Sequence, residues 1–304
     1  MAWIPTLPVS ARAQGIASIT LAVFLLSLSD ALVKLAGDRF GLAQIVLIRS
    51  LVAGGLLMAG LVAISGWVAL RPHWSRWVWL RSLCLSAMWL CYYAALPSLS
   101  FALAAACYYT SPIWMALMAR CVLGETVGRR GWVAIAFSTV GVILAVNPSA
   151  GNVTITLFLP IMAAIFYALA GTITWSRCQS ETAQAMALNL NICLCFVAVA
   201  GLLIVSLAGV DGGGFVLSVW PDLTVSDWGL ASLLGAFLAV ITIAVALAYR
   251  LAPTPTVGVF DTAYLGFAAL WGGLLFGNLP SPTEMTGIGM IAAGAILMSI
   301  RKVR

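Results

Sequence analysis

Charged residues are scarce in this sequence of 304 residues: Asp, Glu, Lys and Arg together make up 8% of it, whereas 63% of the residues are hydrophobic. Soluble domains carry about 25% charged residues, because their surfaces face water. With a mean hydropathy of +1.09, the chain could not hide its apolar surface from water. The composition excludes a soluble globular protein and predicts an integral membrane protein surrounded by the lipid bilayer.

Groups for metal or acid–base chemistry are scarce as well. The sequence has a single histidine, His73, and no predicted span holds a pair of carboxylates. The seven cysteines show no metal-ligand spacing, and we interpret them as small core residues. The phosphate-binding pattern G-x-x-x-x-G-K-[ST] is missing, so ATP hydrolysis is not expected. We expect no metal and no cofactor, and a membrane-embedded enzyme is an alternative only if His73 lies beside a carboxylate.

Long apolar runs are abundant. About 20 apolar residues are needed to cross the hydrocarbon core of a bilayer. Runs of this kind predict ten transmembrane helices, at about 14–36, 42–65, 77–96, 99–120, 131–147, 153–175, 184–208, 227–248, 256–276 and 285–300. Most connections between them are short and rich in Gly, Pro, Ser and Asn; residues 209–226 are the exception and predict an interfacial loop.

The basic residues predict the orientation of the chain. The net charge of +6 does not indicate a nucleic-acid partner, because the basic residues mark one side of the membrane. Only Arg39 lies in the loops of the opposite side. By the positive-inside rule, both termini are predicted to be cytoplasmic. The residues on the basic side are Arg12, Arg71, Arg76, Arg81, Arg120, Arg129, Arg130, Arg177, Arg250, Arg301, Lys302 and Arg304.

The two halves of the chain share one pattern. Gly124 in Leu-Gly-Glu corresponds to Gly277 in Phe-Gly-Asn, and Gly141 corresponds to Gly294 at the same offset. Two repeats, 1–149 and 150–304, then hold five spans each, within one membrane domain. Because five is odd, the second repeat must enter the membrane upside down relative to the first. Such inverted repeats are typical of secondary transporters that work by alternating access.

Apart from the residues assigned to the basic side and Asp227 at a span end, four charged residues fall inside predicted spans, where an ionised side chain is costly and indicates function by default. We predict a cluster of Asp30, Lys34 and Arg49, because Asp30 and Arg49 both lie roughly 10 Å below the same surface and Lys34 follows Asp30 by one turn. The cluster is either a structural clamp between spans one and two or a place where a cation attracts a substrate carboxylate. The fourth residue, Asp261, either pairs with Arg250 or accepts a proton or an amine.

Aromatic residues mark a candidate cavity. Trp89, Tyr92 and Tyr93 share one helical face, whereas Tyr108 and Tyr109 are near the middle of the fourth span, too deep for an interfacial belt. Pro112 follows and predicts a kink, which serves either packing or a polar cavity. The candidate substrate-binding or cavity residues are Lys34, Trp89, Tyr92, Tyr93, Tyr108, Tyr109, Tyr167, Tyr249, Asp261 and Tyr264.

Ten spans in two halves, short loops, Leu123-Gly124-Glu125 after span four and then Gly141-Val142 resemble the drug/metabolite transporter superfamily, EamA type. The resemblance implies export of small metabolites, mostly amino acids, across the inner membrane, through a central cavity lined by spans one, three, four, six, eight and nine. The aromatic content suits an exporter similar to YddG-type aromatic amino acid exporters. In the second half the corresponding pair is Gly277-Asn278, so the carboxylate of Glu125 has no counterpart there. This difference argues against an essential role for the carboxylate.

The sequence allows two kinds of energy coupling. Transport is either driven by a proton gradient or not coupled to any gradient. A channel or a structural membrane subunit is a further alternative. Channels tend to repeat polar pore-lining residues along a helix, and these spans do not.

Overall fold

The computed structural model describes residues 9–65, 75–124, 128–146, 154–178, 181–209, 214–251 and 260–299. Within these ranges 84% of the residues are helical and no strand is present. The prediction of an all-helical membrane protein is therefore confirmed. Several side chains named above, Tyr249, Arg250 and Arg12 among them, lie outside the described residues.

Eleven α-helices account for the described ranges, and a single 3-10 turn, Ile155–Leu157, precedes the seventh. In chain order they are α1 (Val9–Leu35), α2 (Leu42–Ser65), α3 (Arg76–Ala95), α4 (Phe101–Tyr108), α5 (Ser111–Leu123), α6 (Arg129–Val146), α7 (Phe158–Arg177), α8 (Ala183–Leu207), α9 (Val225–Leu251), α10 (Ala263–Phe276) and α11 (Pro282–Ser299). The eleven helices occupy ten predicted spans, because α4 and α5 share the fourth. Six spans in the described ranges are long and apolar enough to cross a membrane.

Local chemistry explains where several helices begin and end. Ser100 caps α4 by accepting a hydrogen bond from the Leu103 backbone N–H, and Ser75 and Thr182 cap α3 and α8 in the same way. Gly277 ends α10 with φ of 65°, a left-handed conformation that favours glycine. Gly124, after α5, has φ of 69°. The two glycines that correspond in sequence thus share a positive φ.

The helices pack in pairs that join the two halves of the chain. Helix α6 packs on α11, α2 on both α8 and α9, and α1 on both α9 and α10. Helix α3 packs on α7 and α8, α5 on α7, and α4 on α10. The largest apolar core cluster draws its buried residues from both halves, with α3 and α4 contributing most. Bonds between these central helices therefore decide how the halves are held together.

The contact between α6 and α11 is a backbone contact. A Cβ atom added at Gly287 would lie 2.5 Å from the Gly141 carbonyl oxygen, and one added at Gly294 would lie 2.9 Å from the Ala134 carbonyl oxygen. Neither position has room for a side chain. The helices can approach this closely only because these positions are glycine.

Candidate functional site

Asp30 in α1 is the centre of a buried polar network. It is 2% exposed, and each of its carboxylate oxygens accepts a hydrogen bond from a tyrosine hydroxyl. Tyr93 of α3 donates to Oδ1 over 3.0 Å, and Tyr264 of α10 donates to Oδ2 over 2.7 Å. These two hydroxyl donors compensate part of the free-energy cost of removing the Asp30 carboxylate from water. Because Tyr264 belongs to the second half of the chain, Asp30 is bonded to both halves.

Arg49 in α2 approaches Asp30 through Tyr93. It is 1% exposed, and its Nη1 donates a hydrogen bond to the Tyr93 hydroxyl. Its guanidinium carbon lies 4.5 Å from the centroid of the Trp89 ring, a cation–π contact. The prediction that Asp30 and Arg49 belong together holds only in this indirect form, because the Tyr93 hydroxyl stands between them. Their charges still attract each other across a low-dielectric interior.

Part of Arg49 is left without partners. In the part of the chain that the structure describes, its Nε and Nη2 atoms make no hydrogen bond, although both are buried. A buried donor without a partner costs about 1–3 kcal/mol, and more when it is charged. Native proteins rarely retain such a group without a reason.

Lys34 does not join the predicted cluster. Its Nζ donates hydrogen bonds to the carbonyl oxygens of Leu96 and, over 2.7 Å, Leu99, in the turn that follows α3. It also lies 5.4 Å from the centroid of the Phe276 ring at the end of α10. The expected contact with Asp30 is not formed in the described structure. The carbonyls at the end of α3 have no partner in the helix, and they attract the ammonium group instead.

Tyrosines form a continuous chain of contacts from Asp30 towards α7. The sequence has seven tyrosines, and the rings of six of them pack in this one cluster. Tyr92 and Tyr264 share a hydroxyl–hydroxyl bond of 3.1 Å, and the Tyr264 ring stacks on Tyr109 at 5.2 Å. Tyr108 contacts Tyr92, Tyr109 and Tyr167 at 5.3, 5.6 and 5.6 Å between centroids. The seventh, Tyr249, has its side chain outside the described residues.

The fourth span is broken beside this cluster. Helix α4 ends at Tyr108 and α5 begins at Ser111, directly before Pro112, whose ring nitrogen cannot donate a hydrogen bond. The Thr110 hydroxyl donates to the Cys107 carbonyl over 2.7 Å and occupies one of the acceptors at the break. Tyr109 donates to the backbone carbonyl of Asp261 over 3.2 Å, another bond between the two halves. The predicted pairing of Asp261 with Arg250 falls on a side chain outside the described residues.

Two contacts between the halves were not foreseen in the sequence. Arg39 Nη1 lies 2.7 Å from Asp227 Oδ1 and joins the turn after α1 to the start of α9. Trp271 donates through Nε1 to the Ser27 hydroxyl over 3.1 Å. The sequence did contain an indication of the Arg39–Asp227 pair, because Arg39 is the one basic residue in loops that are otherwise acidic.

A cavity of about 350 Å³ lies at the end of the bundle where α4 begins, α10 ends and α11 begins. We call this the Lys34 end, because Leu99 and Phe276, which contact Lys34, directly precede two residues that line the cavity. It is separate from the Asp30 network. Its polar lining residues are Ser100, Asn278 and Glu284.

The sequence matches the EamA-like transporter family over residues 13–147. Residues 13–147 therefore form an EamA-like transporter domain of the drug/metabolite transporter superfamily. The chain is a transporter and not an enzyme, and a multi-pass protein of the inner membrane.

Two known transporters are similar to this chain. A riboflavin transporter of Rhizobium johnstonii is 27% identical over 243 residues, which is 79% of this chain and 75% of the relative. A pseudopaline exporter of Pseudomonas aeruginosa is 26% identical over 292 residues, 95% and 97% of the two chains. A solved crystal structure matches with a TM-score of 0.64 at 16% identity, covering 95% of this chain and 96% of the other. That likeness shows the fold alone.

Proposed function

We propose that this EamA-type transporter exports small amphiphilic metabolites of the amino-acid class, aromatic amino acids included, across the inner membrane. The observation that supports it best is the bonding of Asp30 to Tyr93 in one half and to Tyr264 in the other. A polar site within the membrane, between two halves and walled by aromatic rings, suits a ligand that has both polar and apolar groups. The similar proteins named as a riboflavin transporter and a pseudopaline exporter support transport of a metabolite.

We propose further that the two halves, 1–149 and 150–304, are inverted repeats with both termini in the cytoplasm. Exchanging the halves maps α1 on α7, α2 on α8, α3 on α9, the α4–α5 pair on α10, and α6 on α11. Under this exchange the pair α1–α9 becomes α7–α3, the pair α1–α10 becomes α7–α5, and α2–α9 becomes α8–α3; all of these pairs pack together. A two-fold axis between the halves produces such reciprocal contacts.

The α6–α11 contact supports the same axis at residue level. The offset that matches Gly141 to Gly294 also matches Ala134 to Gly287. Gly141 approaches Gly287, and Gly294 approaches Ala134, so each contact is the image of the other. The family match over 13–147 also coincides with the first proposed repeat.

In the mechanism we propose, the halves rock about the central site and open it to one side at a time. Among the described residues, the bonds that cross between the halves within the tyrosine network are Tyr264 to Asp30, Tyr92 to Tyr264, and Tyr109 to the Asp261 carbonyl. A substrate that enters must replace some of these bonds with its own polar groups. Its apolar part then contacts the tyrosine rings, which already stack on one another.

The test is uptake by the purified protein in liposomes. Labelled phenylalanine, tryptophan, leucine, glutamate and lysine are compared, together with riboflavin, with and without a pH gradient; empty liposomes are the control. We expect saturable uptake of a subset that includes an aromatic amino acid. Dependence on the gradient would establish proton coupling, and independence would establish a facilitative carrier. Unsaturable uptake would indicate a channel, and no uptake of any compound would contradict the proposal.

A further inference from the structure

The two nitrogens of Arg49 that lack partners lie on the same edge of its guanidinium group. Nη1 donates to the Tyr93 hydroxyl, which leaves Nε and Nη2 free. The N–H groups of Nε and Nη2 point in parallel, and this edge binds a carboxylate through two side-by-side hydrogen bonds. The free atoms are therefore a complete bidentate site and not two unrelated gaps.

The guanidinium group lies against two aromatic rings. The Trp89 ring lies 4.5 Å and the Tyr93 ring 5.0 Å from its central carbon, and these two rings contact each other at 5.1 Å. The backbone of Arg49 is packed closely against α9, since a Cβ atom at Gly235 would lie 2.9 Å from the Arg49 carbonyl oxygen. Arg49 is 1% exposed. A fixed donor edge costs a ligand little reorganisation.

Asp30 does not fill this edge. Its two oxygens are occupied by the hydroxyls of Tyr93 and Tyr264, and Tyr93 separates it from the guanidinium group. Asp30 already brings one negative charge near Arg49, so a ligand with a single negative charge adds less excess charge to this buried site than the nearly double charge of a phosphate would. The charge count favours a carboxylate.

We infer that the Nε–Nη2 edge of Arg49 binds the carboxylate of the transported molecule, so that the substrates are carboxylic acids whose apolar part contacts the neighbouring aromatic rings. This inference rests on the proposed transport function and narrows its substrate class. It assigns Tyr93 a positioning role, since Tyr93 holds the third nitrogen, Nη1, and so directs the free edge.

The first test uses the unmodified protein in lipid nanodiscs and two matched pairs of probes, phenylacetate with phenylacetamide and phenylalanine with phenylalaninamide. Binding is followed by tryptophan fluorescence, to which Trp89 beside Arg49 contributes. Each pair keeps its ring and loses only the carboxylate charge. We expect each acid to bind at least about tenfold more tightly than its amide, because the amide leaves the buried donors unpaired. Equal binding within both pairs, or no binding of any acid, overturns the inference.

The second test removes the Nε–Nη2 donor pair of Arg49 by substitution. Arg49→Gln removes the charge, and Arg49→Lys keeps the charge without the planar pair of donors. Both should abolish the preference for acids over amides. The matched control is Arg81→Gln on α3: the Nε of Arg81 already donates to Thr174 over 2.9 Å, so its loss should leave the preference intact. A preference for acids that survives in Arg49→Gln contradicts the inference. If this variant does not fold, the binding of acids and amides to the unmodified protein decides whether the inference holds.

The two proposals fail in different ways. If acids bind at Arg49 and no compound crosses the liposome membrane, the carboxylate site stands and the transport function is wrong. If compounds are transported with equal apparent KM for acids and amides, the function stands and the carboxylate site is wrong.

Discussion

The hydroxyl of Tyr264 lies 2.7 Å from Oδ2 of Asp30 and joins α10 to α1 inside the helix bundle. The same hydroxyl is 3.1 Å from that of Tyr92 in α3. One side chain of the second half is thus bonded to two helices of the first. Any motion that separates the halves at this depth must break these bonds, which makes Tyr264 the most informative single position in the network.

Removing the Tyr264 hydroxyl should weaken the contact between the halves. Tyr264→Phe keeps the ring that stacks on Tyr109 and deletes the donor to Asp30, and hydrogen bonds to charged groups contribute about 1.5–3 kcal/mol. We expect a lower melting temperature in detergent and slower transport. Tyr108→Phe is the control, because Tyr108 contacts its neighbours through its ring. Equal effects of the two substitutions would show that the Asp30 bond contributes nothing special.

Tyr93 should transmit the interaction between Asp30 and Arg49. In a double-mutant cycle, Asp30→Asn and Arg49→Gln should be non-additive, with a coupling free energy of unfolding of about 0.5–3 kcal/mol. The coupling should shrink markedly in a Tyr93→Phe background, which lacks the bridging hydroxyl. A coupling that persists undiminished there would mean that the two charges interact directly and not through the bridge.

The glycine contact between α6 and α11 should not tolerate a methyl group. Gly287→Ala would place a Cβ atom 2.5 Å from a backbone oxygen, so we expect a loss of about 1–3 kcal/mol in unfolding free energy, measured by thermal or denaturant unfolding. Gly289→Ala is a matched control in the same helix, because a Cβ atom there has no neighbour within 4 Å. It should be neutral or slightly stabilising, since alanine favours helix. Two equally destabilised variants would contradict the close packing.

The hydrogen bonds of Lys34 should restrict access to the cavity at the Lys34 end of the bundle. Lys34→Met keeps the apolar stem and removes the donor to the Leu96 and Leu99 carbonyls. In a background without native cysteines, a cysteine at Ser100, which lines the cavity there, should then react faster with a polar thiol reagent. The control is Arg39→Gln, because the Arg39 side chain is 49% exposed and such pairs contribute at most about 1 kcal/mol. Unchanged reactivity in Lys34→Met would rule out this role.

Much of the fold follows from local properties of the chain. The lengths of the apolar runs predicted the spans within a few residues for most helices, because crossing a bilayer requires a continuous apolar helix. The break before Pro112 and the end of α10 at Gly277 also have local causes, a missing N–H and a left-handed φ. The intramembrane charges and aromatics identified Asp30, Arg49 and Tyr93 as candidates, because polar groups at this depth are costly.

The contacts among those candidates could not be predicted in the same way. Spacing along one helix suggested that Lys34 meets Asp30, yet Lys34 bonds to carbonyls beyond α3, and Tyr93 stands between Asp30 and Arg49. Arg39 finds Asp227 far away in the chain.

The sequence by itself determined that this is a helical membrane protein, where its spans lie, and which residues are costly enough to matter. These depend on composition and on backbone chemistry within a few residues. Only the tertiary structure decided which buried groups bond and which donors, above all on Arg49, remain free. That depends on the rotation of each helix about its axis and on the contacts between helices distant in the chain, which a one-dimensional pattern does not contain.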